Sequence, residues 1–185
     1  MSLTPSNMLA LGTHAPDFTL PNTLDPDVFV SPSTYATHQP LLIAFICNHC
    51  PYVIHIIEKF VAIATHYQQQ GIPCIAISSN DVTTHPEDSP KNMHEFARLH
   101  HFPFPYCYDE NQAVAQSYLA ACTPDFYLFN KTHQLVYRGR FDAATPGNDM
   151  AVTGEDLERA LRALIDNKAI STHQHPSMGC NIKWK

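Results

Sequence analysis

Leu41-Leu42-Ile43-Ala44-Phe45-Ile46-Cys47-Asn48-His49-Cys50-Pro51-Tyr52-Val53-Ile54 passes from one kind of secondary structure into another, and that change decides the fold. Residues 41–46 are a continuous apolar run of strand length, which predicts a buried strand. Beyond them Val53, Ile54, Ile57, Phe60, Val61 and Ala64 recur at helical spacing. Two thiols, Cys47 and Cys50, stand at the seam, over the first-turn N–H groups and the positive end of the helix dipole. That field favours thiolate over thiol. Thiolate is the species that attacks disulfides, reduces peroxides or binds metal, and a second thiol within reach releases whatever the first has captured. The same spacing also suits half of a zinc site. A four-ligand site needs a second half, however, and Cys74, Cys107, Cys122 and Cys180 are scattered.

Working outward, Gln68-Gln69-Gln70-Gly71 gives the helix a polar end with Gly just past it. Residues 72–78 form the next apolar run, and strand–helix–strand order implies parallel pairing. Residues 79–90 are a polar loop closed by Ser89-Pro90, an N-cap followed by Pro at N1. A helix over 91–100 carries Met93, Phe96, Ala97 and Leu99, and a short strand is expected at 106–108. Asp109 with Gln112 resembles the start of a short helix through Val114, Tyr118 and Leu119. Residues 125–129 and 134–140 read as an antiparallel hairpin. Thr153 with Asp156 marks the cap of a last helix whose Leu157, Ala160, Leu161, Leu164 and Ile165 form an apolar stripe. At the other end Pro5, Pro16, Pro21 and Pro26 predict extended chain and turns over 1–27. A short edge strand at 28–30 and a helical turn from Ser31-Pro32 follow. From Ile170 the composition is irregular.

With 185 residues, 44% hydrophobic and 15% charged, the chain is most simply one α/β domain over 1–185, with its core at about 10–168 and a tail at 169–185. A formal charge of −6 leaves no basic stripe for nucleic acid, and no run of about 18 apolar residues suggests a membrane partner. The start, Met1-Ser2-Leu3-Thr4-Pro5-Ser6-Asn7, lacks the basic and apolar stretches of a signal peptide. Six scattered cysteines point to a reducing, cytoplasmic setting rather than a disulfide framework. The twelve His would reverse the sign of the net charge if all were protonated, but they are too dispersed for metal storage.

With strand–CxxC–helix and the later Thr123-Pro124 both in view, the chain resembles the thioredoxin superfamily, and within it the peroxiredoxin-like redoxin branch of AhpC/TSA type. Gly12-Thr13-His14-Ala15-Pro16-Asp17-Phe18 is similar to the opening of that branch. Gly179-Cys180-Asn181-Ile182-Lys183-Trp184-Lys185 is similar to the ending of a subgroup of redoxin-like proteins. The resemblance implies a thioredoxin-like fold, a central mixed sheet flanked by helices, with an N-terminal extension and an irregular C-terminal tail. It implies Cys47 as nucleophile, Cys50 as resolving thiol, and a cis Thr123-Pro124 peptide facing them.

The chain also departs from the family. Ile46 and Asn48-His49 stand where thioredoxins have Trp and Gly-Pro. His49 just before the second Cys resembles the more oxidising exchangers, where an imidazolium favours the thiolate of the first sulfur. Peroxiredoxins place Thr or Ser three residues before the peroxidatic Cys; here that residue is Ala44. Arg138 or Arg140 would have to supply the guanidinium.

Thiol–disulfide oxidoreductase is therefore the leading function, acting on a protein or small thiol substrate with no cofactor and an unspecified reductant. The alternatives are a thiol peroxidase using Cys47, a copper or zinc carrier using Cys47, Cys50 and His49 or His55, and a redox fold kept only for binding. Cys74 and Cys107 fall in strands and read as inert buried thiols. Cys122, beside Thr123, and Cys180, on a tail anchored by Trp184, are additional redox candidates whose other reading is packing.

Overall fold

The computed structural model describes residues 3–35 and 38–185. Met1-Ser2, part of the stretch read for a leader, and Ala36-Thr37 lie outside the described residues. The elements in chain order are β1 (Leu3–Pro5), β2 (Leu20–Asn22), β3 (Asp25–Val30), β4 (Leu41–Phe45), α1 (Pro51–Gln69), β5 (Cys74–Ser78), α2 (Pro90–Leu99), β6 (Tyr106–Tyr108), α3 (Ala113–Ser117), β7 (Cys122–Thr123), β8 (Asp125–Phe129), β9 (Leu135–Gly139), α4 (Glu155–Ile165) and β10 (Met178–Asn181). Single 3-10 turns lie at Pro32–Thr34 and Pro86–Asp88.

A seven-stranded sheet runs in the order β3-β2-β6-β5-β4-β8-β9. The expected mixed character is present: β4 pairs in parallel with β5 and antiparallel with β8. Every residue of β4 is buried because both faces of the sheet are covered. Leu42, Ala44 and Ile46 face one side, where Val53, Ile57 and Phe60 of α1, Met93 of α2 and Leu157 and Leu161 of α4 pack on them. Leu41, Ile43 and Phe45 alternate to the other side, against Val114, Tyr118 and the N-terminal residues Leu9 and Phe18. Phe60 sits within ring-contact distance of Phe104, Phe126 and Phe141, so α1 is clamped to the sheet behind the cysteine seam. α1 ends at a Gln70 C-cap followed by Gly71 with φ of 89°, as its sequence predicted.

Three expectations need correcting. The N-terminal extension does more than wrap the surface: β2 joins the main sheet, and the edge strand expected at 28–30 is present as β3 but starts earlier, at Asp25, with Pro26 tolerated because β3 lies at the edge. α4 begins where expected, but Thr153 is not its cap. Gly154 occupies the N-cap position with φ of 71°, and the Asp142 carboxylate accepts the N–H groups of Thr153 and Gly154 at 2.7 and 2.6 Å. A Cβ on Gly154 would lie 2.4 Å from Ile63 and 2.6 Å from Phe141.

The largest correction concerns the tail, which is ordered into β10, the middle strand of a second sheet β1-β10-β7. Cys180 stands opposite Thr123, and Leu3 opposite Cys180 on the other side. Gly179 is what permits the approach, since a Cβ there would sit 2.0 Å from the Thr123 carbonyl oxygen. The tail therefore ends beside the cysteine seam, on the side of Thr123.

Candidate redox site

The turn between β4 and α1 is tied down by polar bonds to the 79–90 loop. Asn48 N–H donates to Asp88 Oδ1 at 2.8 Å, Asn48 Nδ2 donates to the Glu87 carbonyl at 2.9 Å, and Tyr106 Oη donates to Asn48 Oδ1 at 3.1 Å. Cys50 is the N-cap residue of α1, with Pro51 at N1, and its carbonyl already accepts the N–H groups of Val53 and Ile54. The Thr123-Pro124 peptide is cis, as the resemblance implied. Thr123 touches both sulfurs: its Oγ1 lies 3.4 Å from Cys47 Sγ, and its carbonyl accepts from Cys50 Sγ at 3.3 Å. The Cys47 and Cys50 thiols influence each other's ionisation, and none of the six cysteines is in a disulfide.

The two thiols of the pair are perturbed in opposite directions. The interaction with Cys47 holds the Cys50 thiol down to about 5; burial opposes this, and the Cys180 thiol, the Cys180 N–H and the Val53 N–H assist it. The same interaction pushes Cys47 well up, joined by burial and by the negative charge of Asp88. The mutual interaction therefore perturbs the two thiols in opposite directions, while Cys50 Sγ also donates to the Thr123 carbonyl. Both sulfur residues are covered: Cys47 is 1% and Cys50 0% exposed, with half-buried Asn48 and His49 above them.

His49 makes a close ion pair with Asp88, Nδ1 to Oδ2 at 2.7 Å, with Glu87 farther off at 3.8 Å. Its ring stacks on His85 at a centroid distance of 5.5 Å. The Asp88 contact raises the His49 pKa against the opposing effect of burial. Asp88 is fully buried; burial pushes its carboxyl up, but His49, Asn80 Nδ2 at 2.7 Å and the Asn48 N–H together hold it below the ordinary range. Sequence reasoning missed Asp88, since an acid in Pro86-Glu87-Asp88-Ser89-Pro90 looks like a solvated loop residue. It also missed Asp125, buried two residues past Thr123, bonded by Tyr127 Oη at 2.8 Å and raised by burial to about 7.

The other candidates divide. Cys180 joins the site through β10, while Cys122 lies close enough for the charges of Cys50 and Cys180 to push its thiol up, after burial and Asp125. Cys74 and Cys107 are buried in β5 and β6 with raised pKa values, as inert thiols should be. The guanidinium groups are engaged elsewhere: Arg138 Nε donates to the Leu9 carbonyl at 2.9 Å, and Arg140 Nε donates to Asp156 at 2.6 Å. For the metal alternative, Cys47, His49 and Asp88 bring donor atoms within 4.8 Å of one another, but Cys50 and His55 do not belong to that group among the described residues. Both Asp88 oxygens already accept protein hydrogen bonds. No described helix is long and apolar enough to cross a membrane.

The model of the AhpC/TSA family matches residues 11–138, more than half of the chain and inclusive of the cysteine pair, Thr123 and Pro124. The chain belongs to the AhpC/TSA family. As an AhpC/TSA protein it carries a thioredoxin-like fold and thiol-based redox chemistry. Two solved structures share its full architecture. An uncharacterized conserved protein from Geobacillus kaustophilus is 45% identical, with a TM-score of 0.97 over 100% of this chain and 97% of that one. A hypothetical protein from Sinorhizobium meliloti is 42% identical, with a TM-score of 0.94 over 98% of each chain. The peroxidoxin BcpB from Mycobacterium tuberculosis shares the fold at 15% identity, with a TM-score of 0.62 over 83% of this chain and 97% of that one. No curated protein matches.

Proposed function

We propose that this AhpC/TSA protein is a thiol–disulfide oxidoreductase whose Cys47–Cys50 pair exchanges disulfides with a protein or small thiol substrate. The observation that carries this reading is the contact set at the mouth of α1, where the Cys47 and Cys50 thiols both rest on Thr123. The lowered pKa of Cys50 sets the direction. A disulfide breaks fastest when the departing sulfur is the better-stabilised thiolate, and a stabilised reduced form makes the couple oxidising. A substrate thiolate attacks Cys47 and expels Cys50, the thiol of the pair that is held down, to about 5, at the N-cap of α1. A second substrate thiol then attacks the mixed disulfide, leaving the substrate oxidised and Cys47 reduced.

The peroxidase alternative lacks its usual supports. Ala44 is buried inside β4, and both candidate arginines are spent on other partners. A cytoplasmic setting, with one domain over 1–185 as the working unit, remains part of the proposal on the strength of the scattered cysteines. The test is oxidation of a reduced dithiol peptide by the preoxidised protein, followed by thiol counting. Wild type should transfer one disulfide per chain, and Cys47→Ser and Cys50→Ser should each transfer none. A pair that stays reduced in oxidised glutathione, together with rapid thiol loss to hydrogen peroxide, would overturn the assignment.

A further inference from the structure

We propose that Cys180 is a third working thiol of this site: β10 holds it against Cys50 so that the disulfide passes from Cys47–Cys50 to Cys50–Cys180. The inference rests on the exchange reading above and extends it to the tail. Cys180 is placed by backbone pairing, not by side-chain packing alone. It stands opposite Thr123, whose carbonyl accepts from Cys50 Sγ at 3.3 Å. The thiol and the backbone N–H of Cys180 both help to hold the Cys50 thiol down, which places them beside its sulfur. The neighbouring position must be Gly, because a Cβ at Gly179 would sit 2.0 Å from the Thr123 oxygen.

The strand is pinned on both sides of the cysteine. Ser6 N–H donates to the Ser177 carbonyl at 2.9 Å, Ile182 N–H donates to the Ala121 carbonyl at 3.0 Å, and Lys183 N–H donates to Asn80 Oδ1 at 2.8 Å. A thiol used only to fill space would meet hydrocarbon; this one meets the Cys50 sulfur. Because Cys47 and Cys50 are covered, Cys180 is also a thiol that reaches Cys50 without any opening of the site.

The step is an isomerisation and needs no external oxidant. Cys180 loses its proton and its sulfur attacks Cys50 Sγ. The Cys50–Cys180 bond forms, the Cys47–Cys50 bond breaks, and the departing Cys47 thiolate takes up the proton. The oxidising equivalent is then held on the tail strand with Cys47 reduced, and the reverse step restores the Cys47–Cys50 bond for a substrate thiolate to attack. Trp184, the one Trp of the chain, lies four residues past Cys180 and reports the event.

The experiment uses the full chain. Cys47→Ser protein is treated with diamide, quenched with acid, alkylated and mapped by mass spectrometry without reduction. The expected product is a Cys50–Cys180 linkage, lost in Cys47→Ser/Cys180→Ser. A Cys50 that stays unlinked, or that joins Cys122 instead, overturns the inference. Wild type oxidised with limiting diamide should contain both linkages in slow exchange, with a matching change in Trp184 emission that requires no variant to fold. Wild type that forms Cys47–Cys50 while Cys180 stays alkylatable in every sample overturns this inference and leaves the exchange reading standing. Wild type that forms no Cys47–Cys50 bond overturns the exchange reading itself.

Discussion

Asp88→Asn should destabilise the protein by an amount that depends on pH in a direction fixed by His49. The wild-type carboxylate accepts from Asn48 N–H at 2.8 Å and Asn80 Nδ2 at 2.7 Å, and pairs with His49 at 2.7 Å, all at a fully buried position. Asn at this site keeps an oxygen for Asn48 but turns an amide towards Asn80, so one charge-assisted hydrogen bond and the ion pair are lost. Hydrogen bonds to charged groups contribute about 1.5–3 kcal/mol each, and removing the buried charge returns part of its desolvation cost. The His49 share is present below its unfolded value near 6.5 and is lost as pH rises through its higher folded value. The Asp88 share is present above its unfolded value near 3.8 and is lost as pH falls through its lower folded value. Both act together between pH 4 and 6.5. The expected loss is about 2–3 kcal/mol near pH 6, shrinking to about 1 kcal/mol near pH 9, where only the Asn80 bond separates the two proteins. Urea unfolding followed by circular dichroism at the two pH values measures it. An equal loss at both, or a more stable variant, would refute the claim that a charged His49 rests on Asp88.

Asp125 should make wild type lose stability as pH rises from about 4 to about 7, because the folded carboxyl keeps its proton up to about 7. Asp125→Asn removes that slope, so the variant gains on wild type across the range by at most about 4 kcal/mol; parallel pH–stability curves would contradict this. Gly179→Ala forces β10 off Thr123 and should cost about 1–3 kcal/mol or more in urea unfolding, with the Cys50–Cys180 linkage reduced. An Ala variant of wild-type stability would mean that the two strands do not approach as described. Thr123→Val keeps shape but removes the hydroxyl that lies 3.4 Å from Cys47 Sγ and lowers its pKa. Cys47 alkylation near neutral pH should therefore slow by a few-fold, and a faster reaction would count against the contact.

How much of this was legible depended on whether a residue's partner lies near it in sequence. The strand, the thiol pair and α1 could be read from 41–64 because the hydrophobic period changes inside that stretch, and burial of both faces of β4 follows from its unbroken apolar run. The cis Thr123-Pro124 peptide came from family resemblance, since nothing local distinguishes it from any other Thr-Pro. Asp88 was illegible because its significance comes from Asn48, His49 and Asn80, which only the packing of the loop on the β4–α1 turn brings together. The tail was misread for a different reason. Gly179 weakens any local case for a strand, yet the absence of its side chain is what lets β10 reach Thr123. The perturbation of the thiol pair also needed the tail, because two of the four groups that lower the Cys50 pKa belong to Cys180.

A pair this covered raises the question of what moves when a substrate arrives, and the strengths of the surrounding attachments answer it. β10 is fixed by backbone bonds on both edges and by Ser6, Ala121 and Asn80 at its flanks, so lifting it breaks many bonds at once. Asn48 is held by three hydrogen bonds to Asp88, Glu87 and Tyr106. The His49 side chain has its carboxylate pairs and one ring contact, and it is 17% exposed. Rotating that imidazole outward breaks its ion pair with buried Asp88 but no backbone bond, and it becomes cheaper as His49 loses its proton. Access to Cys47 and the charge on His49 are therefore coupled through one side chain. A rise in pH both uncovers the sulfur and increases its thiolate fraction, which makes the pH dependence of Cys47 alkylation steeper than a single ionisation allows.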